Sequence, residues 1–211
     1  MILQHPFTCI IAGPTCSGKT FLVRSLINED CIQPSPKEII WLYAEDQPLH
    51  KTLQKTVKFH KGIPENSEGI INGKSPTLIV IDDLMTELHS DQRLTRIFTV
   101  GSHHRNLTVI FIVQNLSHQG KEMRNLSLNS HYLVLFKNPR DRHQISVLAR
   151  QMYPGNTKFL LEAYNDATKQ AFGYLLLDLK PSTEDDLRVR TGILSRDPPV
   201  VYIPQTIISK S

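Results

Sequence analysis

Six short apolar runs constrain the fold of this chain more than any other feature. They are "FTCIIA" (7–12), "EIIWLYA" (38–44), "TLIVID" (77–82), "LTVIFIV" (107–113), "HYLVLF" (131–136) and "YLLLDL" (174–179). Each is rich in β-branched, leucine and aromatic residues, and none alternates apolar with polar positions. A half-exposed strand would alternate, so these read as strands covered on both faces. Between them the sequence predicts helices over 19–28, 87–100, 140–151 and 157–166. Strand and helix in repeated order give an α/β fold with a mostly parallel, doubly wound sheet and helices on both faces. Residues 56–76, with Gly62, Pro64, Gly69, Gly73 and Pro76, read as an irregular insertion or short hairpin. At 211 residues the chain has room for one large domain. Residues 1–180 are expected to form it, with 181–211 a Pro-containing C-terminal tail or extension.

The seam between the first strand and the first helix reads "GPTCSGKT", Gly13 to Thr20. The spacing G-x-x-x-x-G-K-[ST] has a mechanical meaning. Glycines let the backbone curl round an anion, and the N–H groups of the loop and of the helix N-terminus point inward at phosphates. Gly13, Pro14, Thr15, Cys16, Ser17, Gly18, Lys19 and Thr20 are therefore the candidate nucleotide-binding residues. Lys19 would reach the outer phosphates, and the Thr20 hydroxyl would hold a magnesium ion. The seam defines a P-loop NTPase.

A second half of the site is legible downstream. "TLIVIDD" ends a buried strand in two carboxylates, delivered to the sheet edge where ligands bind in such folds. Asp82 is the candidate metal ligand, and Asp83 the group that orients or deprotonates the attacking water. Gln114 ends the strand "LTVIFIV" at the same edge, where an amide can hold that water or sense the γ-phosphate. Arg105 precedes the same strand and so belongs to the opposite edge. It is badly placed to act on its own subunit's nucleotide, but could serve a neighbour as an arginine finger. His103 and His104 read as loop residues.

Charge and composition narrow the class. Apolar residues make up 40% and charged ones 21%, which is a globular balance. No apolar stretch approaches the ~18 residues of a membrane span, and "MILQHPFTCII" lacks the basic start and cleavage site of a signal peptide. Cys9, Cys16 and Cys31 have no metal-ligand spacing, which suits a reducing compartment. The net charge of +4 is spread over three basic groups: Lys51, Lys55, Lys58 and Lys61 with His50 and His60; Arg140, Arg142, His143 and Arg150; and Arg188, Arg190 and Arg196. Each is either a solvated face or a contact for a polyanion.

Together, "GPTCSGKT", "TLIVIDD", the "HHRN" turn before "LTVIFIVQN", and "HYLVLFKNPRD" resemble the FtsK–HerA class of P-loop ATPases. Within it the chain looks most like the genome-packaging ATPases of double-jelly-roll DNA viruses and Polinton/Maverick-like elements, over roughly residues 7–180. The resemblance implies a Mg2+-dependent ATPase that assembles as a homo-oligomeric ring, pentamer or hexamer, and moves double-stranded DNA into a capsid. Its partners would be DNA and capsid proteins, and its place the interior of the host cell and the virion rather than the secreted space. Carried over residue by residue, Lys19 and Thr20 serve phosphate and metal, Asp82 the metal, Asp83 the water, Gln114 the sensor and Arg105 the finger. The commonest pattern has glutamate where this chain has Asp83.

Two other classes share the phosphate loop. A nucleoside or nucleotide kinase needs an arginine-rich lid, for which the helix around Arg140–Arg150 is the candidate. A nucleotide-dependent switch would hydrolyse slowly to reset a partner. GTP selectivity normally brings an N-K-x-D motif, which "FKNPRD" does not supply. The acid-tipped and glutamine-tipped strands fit water activation better than transfer to a nucleoside.

Overall fold

Once both faces of a strand are covered, its N–H and C=O groups can pair only sideways, with other strands. The computed structural model of the chain describes residues 1–45, 57–64, 74–84, 97–98, 106–116, 121–194 and 196–205. Its strands are β1 (Leu3–Gln4), β2 (Thr8–Ala12), β3 (Ile32–Gln33), β4 (Glu38–Tyr43), β5 (Lys58–Lys61) and β6 (Thr77–Asp82). They continue with β7 (Leu107–Val113), β8 (Tyr132–Phe136), β9 (Tyr174–Asp178), β10 (Val189–Thr191) and β11 (Val200–Tyr202). The described helices are α1 (Lys19–Asn28), α2 (Lys121–Leu128), α3 (His143–Met152) and α4 (Thr157–Ala167). All the apolar runs form strands, and every residue of β2, β6, β7, β8 and β9 is buried.

The main sheet has the order β11-β10-β9-β8-β2-β7-β6-β4-β5. It is parallel from β8 to β5 and antiparallel from β8 to β11. A separate parallel pair joins β1 to β3. From β2 the chain crosses to β4 on one side, and only later reaches β8 on the other. That reversal opens a crevice beyond the C-terminal end of β2. Strand β7 lies between β2 and β6, an order that no local signal in the sequence dictates.

Alternate residues of each strand feed two cores, one per face. Cys9 and Ile11 of β2 pack with Leu22, Val23 and Leu26 of α1. Ile10 and Ala12 pack on the other face with Ile145 and Ala149 of α3 and Leu160 and Ala163 of α4. Each such aliphatic side chain contributes about 1.5–3 kcal/mol by leaving water, so helix-covered faces on both sides are what hold the sheet. Ile97 and Phe98, the described residues of the helix expected over 87–100, are buried in the α3/α4 core.

Three local expectations change. Residues 58–61, expected within an irregular insertion or hairpin, form an edge strand parallel to β4. Lys58 and Lys61 are an odd number of strand residues apart, so they point to opposite faces, and Lys58 pairs with Glu38 at 2.7 Å. Lys51, Lys55 and His50 lie outside the described residues. Helix α2 has no counterpart among the expected helices, because "KEMRNLSL" has too few apolar residues to mark a face, although Met123 and Leu126 are buried. The segment 181–205 supplies β10 and β11 to the main sheet and buries Val189, Ile193 and Leu194.

Candidate active site

Strand register brings the site together. Ala12 pairs with Val113 across β2 and β7, and Asp82 pairs with Ile112 across β6 and β7. The three strands therefore end level, and the residues just beyond them, Gly13, Gln114 and Asp83, share one edge. A cavity of about 470 Å3 there is lined by Thr15, Cys16, Ser17, Gly18, Lys19, Thr20, Asp82, Asp83 and Gln114, with Phe21, Ile112 and Phe172.

The loop has the backbone that its glycines allow. Gly18 has φ +104°, a conformation that L side chains rarely adopt. A Cβ on Gly13 would lie 2.6 Å from Phe136 Cβ and 2.8 Å from Ser17 Oγ, so only glycine fits against β8. Gly18 caps α1 without a side-chain bond, and the first turn of α1 carries no acidic residue. The free N–H groups and the positive end of the helix dipole are thus left for an anion. The Ser17 hydroxyl is buried without a partner among the described residues. Such a polar group is costly unless a ligand completes it.

Lys19 is 9% exposed, and its ammonium donates to the carbonyls of Gly13 at 2.7 Å and Pro14 at 2.9 Å. Burial lowers its pKa below the ordinary lysine value, opposed by the charges of Asp82 and Asp83. Asp82 is 3% exposed. Burial pushes its carboxyl up to about 6; the Trp41 bond pulls it down, Asp83 pushes it up and Lys19 pulls it down. Asp83 sits at φ +58°, exposed at the cavity mouth. The Gln114 amide donates to both its oxygens, at 3.2 and 3.0 Å.

The donor set suits a hard divalent cation. Thr20 offers a hydroxyl and Asp82 a desolvated carboxylate, and oxygen ligands of that kind are what Mg2+ takes. Among the described residues no group of three or more His, Cys, Asp or Glu side chains could hold a metal by itself. Such an ion would need the phosphates as co-ligands.

Two contributors escape a reading of the sequence. Trp41, fully buried in β4, donates its indole N–H to Asp82 Oδ2 at 3.3 Å. A tryptophan inside a two-sided strand must place that N–H somewhere, and the neighbouring acidic strand end accepts it. Phe172, 69% exposed with φ +62°, also lines the cavity. Nothing in "KQAFGY" marks it. Arg105, His103 and His104 lie outside the described residues. The opposite edge is seen at Asn106, which holds His5 Nε2 at 2.7 Å.

The basic groups separate. Arg188 pairs with Asp185 and Arg190 with Asp178, each at 2.7 Å, and the Arg196 guanidinium lies 5.2 Å from the Phe21 ring centroid. Those arginines serve the fold. Arg140, Arg142, His143 and Arg150 lie on the other flank of β8, where all four are exposed. The first three follow the end of β8 at the cavity edge of the sheet. No described helix is long and apolar enough to cross a membrane.

No protein-family model and no curated protein matches the sequence. Solved structures do. The genome packaging NTPase of Sulfolobus turreted icosahedral virus 2, in complex with ATP-gammaS, is 12% identical with a TM-score of 0.54, covering 95% of this chain and 98% of that one. The DNA-packaging ATPase of Sulfolobus turreted icosahedral virus is 11% identical with a TM-score of 0.56, at 95% and 98% coverage. The cytoplasmic domain of the Thermomonospora curvata type VII secretion ATPase EccC is 11% identical with a TM-score of 0.53, covering 93% of this chain and 25% of that one. The chain thus has the P-loop NTPase fold, and in that fold it is similar, over nearly its whole length, to viral genome-packaging NTPases.

Proposed function

We propose that this protein is an ATPase that moves double-stranded DNA, packaging a viral genome into a capsid inside the host cell. One observation carries the hydrolytic half: Lys19 at the start of α1, Asp82 and Asp83 at the end of β6 and Gln114 just past β7 line a single cavity with the loop. Lys19 would release its loop carbonyls for the β- and γ-phosphates. Thr20 and Asp82 would hold Mg2+, whose charge offsets the negative charge of the phosphates. Asp83, oriented by Gln114, would take a proton from water as the water oxygen bonds the γ-phosphorus. The bond to the β–γ bridging oxygen breaks, and ADP and phosphate leave. Adenine nucleotides are the choice because structures of the similar packaging NTPase carry AMP, ATP-gammaS and AMPPCP.

The translocation half rests on likeness of fold and on the basic group of Arg140, Arg142 and Arg150. Arg105 would complete a neighbouring subunit's site within a pentameric or hexameric ring. Residues 1–180 would be the ATPase domain, and 181–211 an extension of it.

The test is phosphate release from MgATP with no acceptor, with and without duplex DNA. Turnover stimulated by DNA, and abolished in a folded Lys19→Ala protein, is the expected result. Phosphate transfer that requires a nucleoside would make the protein a kinase. Near-normal turnover in folded Lys19→Ala would remove the phosphate-loop assignment.

A further inference from the structure

Beyond Phe172 the phosphate cavity adjoins a second and larger space of about 740 Å3, within the range of about 300–1,000 Å3 typical of small-ligand sites. Gly18, Phe21 and Phe172 line both spaces. The rest of the wall comes from α1, from Phe136 at the end of β8, from the end of α4 through the turn to the start of β9, and from residues within 191–194 and 196–202.

Two large aromatic side chains are exposed at this junction, Phe21 at 48% and Phe172 at 69%. Apolar rings left open beside a polar cavity call for a ligand more than scattered surface leucines do. Phe172 also occupies the left-handed region, φ +62°, which a bulky side chain avoids. Such strain persists where the surroundings over-determine it, commonly at a ligand clamp. The surroundings here do so. Gly173 donates its N–H to Gln170 O at 3.1 Å, and a Cβ on Gly173 would lie 2.4 Å from the Ala167 carbonyl oxygen, so the turn is packed tight. A Cβ on Gly18 would come within 3.2 Å of Phe172 Cδ1, so the ring lies against the phosphate loop. Phe21 is braced by the Arg196 guanidinium.

The polar groups on the wall are largely engaged already. Tyr202 donates to Asp166 at 2.8 Å, Tyr174 to Asp197 at 3.3 Å, and Thr191 to the Tyr174 carbonyl at 2.7 Å. What remains open is aromatic face rather than a pattern of donors and acceptors.

We infer that this space is the nucleobase subsite of the phosphate-loop site, where a purine stacks on Phe172, and that it ranks bases by stacking area rather than by edge pattern. The inference rests on the phosphate-loop reading and deepens it, adding where the base of the nucleotide sits and that guanine would be accepted nearly as well as adenine. It also gives residues 191–194 and 196–202 a role, as the far wall of the base site.

The experiment is calorimetric titration of the full chain with the magnesium complexes of ATP, GTP, CTP and inorganic tripolyphosphate. ATP and GTP should bind within a few-fold of each other, CTP more weakly, and tripolyphosphate weakest. Phe172→Ala should lower ATP and GTP affinity about tenfold, in keeping with loss of one base–aromatic stack, while tripolyphosphate affinity stays unchanged. Phe172→Trp should restore ATP binding. Equal losses for ATP and tripolyphosphate would mean that Phe172 props the loop and reads no base, which overturns the proposal. So would unchanged ATP affinity in Phe172→Ala, or CTP binding as tightly as ATP. If the unaltered chain bound neither ATP nor tripolyphosphate, the phosphate-loop reading itself would fall, and this one with it.

Discussion

Replacing Asp82 by asparagine should stabilise the ligand-free protein while removing the proposed Mg2+-dependent ATPase activity. Asp82 is 3% exposed, and its pKa is raised from 3.8 to about 6, mainly by burial. The folded value lies above the unfolded one, so between pH 3.8 and 6 the native state holds more protons than the unfolded state. Stability then falls as pH rises through that window, and the full cost is present above it. The interval corresponds to roughly 3 kcal/mol at about 1.36 kcal/mol per pKa unit. Asparagine carries no charge, nearly matches the shape, and can still accept the Trp41 N–H. For a chain of this length a change of about 1 kcal/mol moves Tm by about 2–4 °C. Asp82→Asn should therefore melt about 6–12 °C higher at about pH 8 in excess chelator, by scanning calorimetry. The gap should close toward pH 3.8, where Asp82 in the unaltered protein is neutral as well. Added MgATP should raise Tm of the unaltered protein and leave that of the variant nearly unmoved. A variant that melts at or below the unaltered protein in mild alkali, by a margin independent of pH, would refute the reasoning.

Two further outcomes are expected. Asp83→Asn and Arg105→Ala, each inactive alone, should regain ATPase activity when mixed and reassembled. The loss of an arginine finger costs about 10³-fold or more, so even partial rescue is measurable, and a co-assembled but inactive mixture would exclude action in trans. Arg140→Ala with Arg142→Ala should weaken duplex binding evenly across sequences and reduce the salt slope by about 2, at roughly 0.9 for each phosphate no longer neutralised. An unchanged slope would place the DNA-binding face elsewhere.

What the sequence makes legible is what its chemistry restricts to few residue types. A loop with φ +104° at Gly18, and with no room for a Cβ at Gly13, leaves a glycine signature. Strands buried on both faces leave unbroken apolar runs, and the carboxylates that end β6 interrupt one abruptly. Pairings set by tertiary adjacency leave no such mark. Arg190 reads as part of a basic group because Asp178 stands 12 positions away, yet the two pair at 2.7 Å once β10 lies beside β9. Trp41 and Asp82 are likewise separated by 41 positions and joined by the pairing of β4 with β6. Lys58 and Lys61 mislead in the other direction, since a spacing of three residues fits a helix face but divides a strand.

Gln114 shows what strand order does for the chemistry. Had β6 paired directly with β2, the acids would sit beside the loop and the amide elsewhere. With β7 between them, its end falls between phosphate loop and carboxylates, and one amide spans both oxygens of Asp83. The site holds an ammonium folded onto its own loop, a buried carboxylate with a raised pKa, and a Ser17 hydroxyl without a partner among the described residues. Each is a local cost that phosphate and metal, bound as proposed, would offset. Binding of such a ligand to the native state alone adds RT ln(1 + [L]/Kd) to stability. On the proposed function, ligand binding and fold stability would be coupled through the same few atoms, so a change that relieves the buried charge, as at Asp82, would work against binding.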